Sequence, residues 1–95
     1  MSRFQITGVY RARKPIIVLA GTILEGEVQN GDQLIVPLRD DTEFVGTVMG
    51  ILHGLQMYES ASFEDELQEI GIGVWRSDCH EFRDVLCGLA TKVQD

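Results

Sequence analysis

Apolar and polar residues alternate along this chain in short runs, punctuated by glycine, proline or charge. A period of two predicts strands, not helices. Phe4, Ile6 and Tyr10 share one phase of a first strand over residues 3–10, in which Gly8 leaves a gap. Arg11-Ala12-Arg13-Lys14-Pro15 then reads as a polar hairpin loop, since Pro15 has no N–H for a central ladder. Residues 16–24 are β-branched and apolar, and Ile17, Leu19, Gly21 and Ile23 form the phase that would line an interior. Leu34 and Val36 repeat the alternation up to Pro37, and Arg39-Asp40-Asp41-Thr42 is a charged turn. A further strand covers residues 44–52, where Gly46 and Gly50 predict a bulge or tight bend.

Beyond this point the pattern weakens. In residues 56–69, Ser62-Phe63-Glu64-Asp65 is able to open a short helical turn, with the serine as N-cap and the acids at the positive end of the dipole. Ile70-Gly71-Ile72-Gly73-Val74-Trp75 returns to strand. Residues 78–84 form a polar connection with room for one helical turn, and residues 85–93 hold the closing strand. With no internal repeat, low-complexity tract or linker, residues 1–95 read as one domain. Short strands between regular turns predict an all-β fold: a small closed or nearly closed antiparallel barrel of about six strands.

The run from Gly21 to Val36 sharpens this expectation. Glycines recur at 21, 26 and 31, and Asn30-Gly31-Asp32 is a strong turn signal. The pattern resembles the second, β-barrel domain of translational GTPases such as elongation factor Tu. That family repeats a glycine, an apolar residue two on, a glycine at the fifth position, and an apolar residue before a Gly-Asp turn and a strand. Gly21, Ile23, Gly26, Val28, Gly31, Asp32, Leu34 and Val36 occupy those places here. Val48 and Ile51, three apart, resemble its next strand, Ile70-Gly71-Ile72-Gly73-Val74 its following one, and Asp84-Val85 with Gly88 the approach to its last. The likeness spans nearly the whole chain in the family's order. It implies a barrel that in its relatives packs on a GTPase domain and touches RNA.

A counterpart of that catalytic domain is not expected within these 95 residues. The only lysines are Lys14 and Lys92, and neither follows a glycine-rich phosphate loop. The stretch from Tyr58 to Glu69 is also longer and more acidic than the family's connection, with Glu59, Glu64, Asp65, Glu66 and Glu69.

Charge and composition narrow the choice of partner. A 44% hydrophobic, 24% charged chain is globular in character, and its longest apolar stretch, residues 16–20, is too short to span a bilayer. The first seven residues do not resemble a signal peptide, so a cytoplasmic location is expected. The net charge is −7, while Arg3, Arg11, Arg13 and Lys14 concentrate basic charge at the N-terminal end. An acidic body repels phosphate backbones and favours basic partners, although the same charge also serves plain solubility.

Candidate chemistry is sparse. Glu25 and Glu27 share one strand face if the alternation holds there, but two glutamates about a turn glycine more often form a solvated face than an acid–base pair. Cys79 beside His80 suggests a nucleophile and base, yet chain neighbours rarely meet in that geometry. His53, Cys79, His80 and Cys87 lack zinc-site spacing. Trp75 extends the preceding strand and is expected in the core, with an exposed binding anchor as the alternative.

The expected function is non-enzymatic protein binding, without metal, cofactor or nucleotide. Candidate partner-binding residues are the basic cluster Arg11, Arg13 and Lys14 and the acidic cluster Glu64, Asp65 and Glu66. Two alternatives stand beside it: a translation-associated RNA or ribosome contact through the basic loop, and a small acidic immunity-type inhibitor of a basic toxin.

Two measurements check these exclusions. Isothermal titration with GTP or ATP and magnesium should give no heat of binding, and a micromolar Kd would overturn the assignment. Thiol titration after denaturation should find both cysteines free. One equivalent of zinc in protein purified without added metal would restore the cysteine–histidine cluster as a site.

Overall fold

The computed structural model describes residues 2–11, 16–54, 56–62, 69–75 and 85–93. Among the described residues nine strands carry the fold: β1 (Arg3–Arg11), β2 (Ile16–Glu25), β3 (Glu27–Gln29), β4 (Gln33–Pro37), β5 (Glu43–His53), β6 (Gln56–Tyr58), β7 (Ser60–Ser62), β8 (Ile70–Trp75) and β9 (Leu89–Lys92). No helix occurs among the described residues. Six strands close a barrel in the order β1-β2-β8-β5-β4-β9 and back to β1, every pairing antiparallel. β6 extends the sheet beyond β5, and β3 pairs with β7 as a separate two-stranded sheet. The expected closed barrel of about six strands is therefore what the chain forms.

Alternation places Phe4, Ile6, Leu19, Leu34, Val36, Val48, Ile51, Ile72 and Val74 inside, each at most 1% exposed. Val28 and Ala61 face each other across β3 and β7 and join the same core. Val85, bridged to Leu38, closes it ahead of β9.

Three bulges set the phases. The β1–β2 register runs Ile6↔Gly21 and then Gly8↔Ala20, leaving Thr7 as the extra residue. Thr7 points outward, so the inner phase passes to Val9, and Tyr10 lies 59% exposed instead of following Phe4 and Ile6 inward. In β5, Val48↔Val74 is followed by Gly50↔Gly73, which leaves Met49 unpaired and outside. That bulge is why the buried residues Val48 and Ile51 stand three apart. The third leaves Leu24 exposed between Phe4↔Ile23 and Arg3↔Glu25.

The glycine run acts by two different means. Gly21 has ordinary backbone angles, but a Cβ there would overlap the Gln5 carbonyl oxygen on β1. Gly31 meets nothing within 4 Å, yet its φ is +92°. The Asp32 N–H donates to the Gln29 carbonyl at 3.1 Å across this turn. Gly31 N–H also donates to the Val48 carbonyl at 2.9 Å, and Val48 N–H to the Asp32 carbonyl at 2.8 Å, which docks the turn on β5.

Asp32 completes the turn. Its carboxylate accepts the Gln29 N–H at 2.9 Å and pairs with Lys92 of β9 at 3.2 Å, both side chains being largely buried. Ser2, only 4% exposed, accepts the Glu27 N–H on its hydroxyl at 3.2 Å. At the charged turn, Asp41 adopts a positive φ of 67° while the Asp40 carboxylate accepts from the Thr42 N–H and hydroxyl.

Residues 56–62 form β6 and β7, so Ser62 ends a strand where the sequence suggests a helix cap. The rest of that helical turn and the one expected in residues 78–84 lie outside the described residues.

The two glycines should respond differently to substitution. Gly31→Asn, which tolerates positive φ, should cost less than Gly31→Val, itself destabilising by about 1–3 kcal/mol. Gly21→Ala should cost on the order of 3 kcal/mol because two backbones must separate. Thermal melts of the three variants check this, and an unchanged Tm for Gly21→Ala would contradict the close approach.

Candidate functional site

The outer surface of β8 is paved with glycine. Because Ile70, Ile72 and Val74 face the core, Gly71, Gly73 and Trp75 fall on the opposite phase. Trp75 is 43% exposed, which corrects the expected core position. It extends the strand but not its inner phase, since adjacent residues of a strand face opposite sides.

The pairings of β8 place further residues around it. Trp75 lies opposite Ile16 of β2 and Thr47 of β5, and Gly73 lies opposite Val18 and Gly50. Gly71 faces Leu52 of β5, which in turn pairs with Met57 of β6. On the far side Val18 pairs with Tyr10. Three apolar cross-strand pairs (Tyr10–Val18, Ile16–Trp75 and Leu52–Met57) thus share one outer face of five strands.

Glycine lets larger side chains lie down on this face. A Cβ on Gly71 would stand 3.0 Å from Val18 Cγ1, one on Gly50 3.0 Å from Met57 Cε, and one on Gly8 3.4 Å from the Tyr10 hydroxyl. The aliphatic and aromatic groups therefore spread over bare backbone. An apolar layer results, with Met57 the most exposed member at 70%. Isolated exposed apolar residues are normal on any protein, whereas a contiguous patch marks a contact surface.

The other candidates fare differently. Arg11 ends β1 with its backbone opposite Ile17, and its side chain lies outside the described residues. Arg13, Lys14, Glu64, Asp65 and Glu66 lie wholly outside them, as do Cys79 and His80. Glu25 and Glu27 do not share a strand face. Gly26, at φ +78°, separates β2 from β3, and Glu25 is bonded to Arg3 at 3.0 Å. His53 ends β5 with its ring 6.4 Å from that of Tyr58, and Cys87 is exposed. Among the described residues no three His, Cys, Asp or Glu side chains are grouped to hold a metal, and no helix is long and apolar enough to cross a membrane.

The glycine-paved face escaped the sequence reading, although one signal of it was legible. In Ile70-Gly71-Ile72-Gly73-Val74-Trp75 the glycines occupy one phase and the aliphatics the other, and Trp75 belongs with the glycines. Neither a protein-family model nor a curated protein matches this chain.

Proposed function

We propose that this chain is a non-enzymatic protein-binding β-barrel module, related to the second domain of translational GTPases, that docks its partner on the outer face of β1, β2, β8, β5 and β6. The observation that carries the reading is the contiguous apolar layer around Trp75. Tryptophan and tyrosine are enriched among the residues that dominate binding energy, and both stand exposed here on β-strands. The relationship to translation-factor barrels draws support from the closed six-stranded sheet together with the Gly26 and Gly31 turns and the Gly31-Asp32 step.

Capture from the native cell, with cross-linking and mass spectrometry, tests this reading. A Trp75→Ala bait should lose the wild-type partner about 30-fold or more, the consequence of removing a contact of about 2 kcal/mol. Neutralising Glu64, Asp65 and Glu66 should weaken capture more than reversing Arg11, Arg13 and Lys14. Equal capture by wild type and Trp75→Ala would refute docking on this face. Loss of capture by the basic-loop variant alone, reproduced by nuclease treatment of the wild type, would replace it with RNA binding.

A further inference from the structure

β1 has a strand on both sides for only part of its length. Arg3, Phe4 and Gln5 pair with β9, and the Ile6 N–H donates to the Gly88 carbonyl at 2.8 Å. Beyond that bond β1 leaves its neighbour, because the chain ahead of β9 follows β4 instead. Val85 bridges Leu38 there, and the Leu86 N–H donates to the Pro37 carbonyl at 2.9 Å. On its other side β1 runs on regularly along β2, with Gly8↔Ala20, Val9↔Leu19, Tyr10↔Val18 and Arg11↔Ile17. Residues 7–11 therefore form an edge whose outward N–H and C=O groups have no strand beside them among the described residues.

Native edges are commonly blunted by charge or proline. Thr7, Gly8, Val9 and Tyr10 supply neither, and no charge stands between Arg3 and Arg11. The complement of such an edge is an extended chain, since a helix already pairs its backbone N–H and C=O groups within itself. Side chains set the rest of its chemistry. Val9 is partly buried against the core, so a residue added beside it enters apolar surroundings, whereas the adjacent Tyr10 is turned to solvent. An added strand meets both by alternation, apolar on one phase and polar on the other.

We infer that residues 7–11 of β1 are a strand-addition site for an extended segment of a partner protein, with an aliphatic residue beside Val9 and polar residues on the alternate phase. The edge belongs to β1 whatever covers the face around Trp75, so this site stands or falls apart from docking on that face.

A capped hexapeptide of alternating valine and threonine is the probe, followed by amide NMR of the full chain. The amide signals of residues 7–11 should shift most, and hydrogen exchange at alternate amides there should slow about tenfold or more at saturation. N-methylation of the peptide at its valines or at its threonines blocks one or the other of its two edges, because successive residues of a strand present their N–H and C=O groups to opposite sides. One methylated peptide should bind about tenfold more weakly or worse, as loss of two backbone hydrogen bonds would give, and the other should bind as the parent does. Trp75→Ala should bind the hexapeptide as tightly as wild type.

Slow exchange at every one of these amides in dilute protein alone would mean that the chain covers its own edge, and would overturn the inference. Shifts centred on Trp75, loss of binding in Trp75→Ala, equal weakening by both methylations, or no shift at about 1 mM peptide would do the same. Slow exchange that arises only on concentrating the protein, with dimer mass by light scattering, would replace the partner segment with a second copy.

Discussion

Closure of a six-stranded barrel is the constraint on which the rest of this structure depends. β4 pairs with both β5 and β9, and β9 with both β4 and β1, so the sheet returns on itself. In so narrow a barrel the strands must coil sharply, and opposed inner side chains compete for the same space. The chain meets the first demand with bulges at Thr7, Leu24 and Met49, each of which sends an extra residue outward and bends its strand. It meets the second by omitting side chains. A Cβ on Gly46 would overlap Val74 Cγ1, so this inward glycine is the space that Val74 fills.

The outer face is a consequence of the same devices. The Thr7 bulge reverses the phase of β1 and turns Tyr10 out, beside Val18. The Met49 bulge brings Gly50 opposite Gly73 and Leu52 opposite Gly71, so that the bare backbone of two strands lies side by side. Val18 and Met57 settle over that backbone because nothing stands in their way. The outward glycines therefore also leave an apolar surface, and the surface is held by strands of the barrel and not by a loop.

The Gly-Asp step has a structural explanation that needs no ligand. Gly31 supplies the positive φ, and Asp32 accepts the Gln29 N–H and holds Lys92 of the last strand. Residues from the middle and the end of the chain are joined there, next to the hydrogen bonds that dock the turn on β5. A motif of this kind speaks for the barrel in which it occurs. What such a barrel binds is decided by surfaces that the motif does not contain.

Local chemistry was sufficient to read much of this fold. Period-2 alternation located the six barrel strands but not the three-residue strands β3, β6 and β7, the Asn30-Gly31 signal marked a turn, and Gly50 announced the bulge beside it. The inner phase of β2 and the buried Leu34 and Val36 also follow from alternation alone. Residues whose placement depends on a register shift were not legible in that way. Tyr10 and Trp75 both read as core, and both are exposed. An extra residue at Thr7 changes sides for everything after it in β1, whereas Trp75 depends on no register shift: simple alternation from the inward Val74 already places it outside. The partner of Asp32 was equally out of reach, since Lys92 comes near only when β9 closes the barrel. Alternation is a property of neighbouring residues and so is written in the sequence. Which residues meet across strands depends on register, and only closure of the whole sheet sets that.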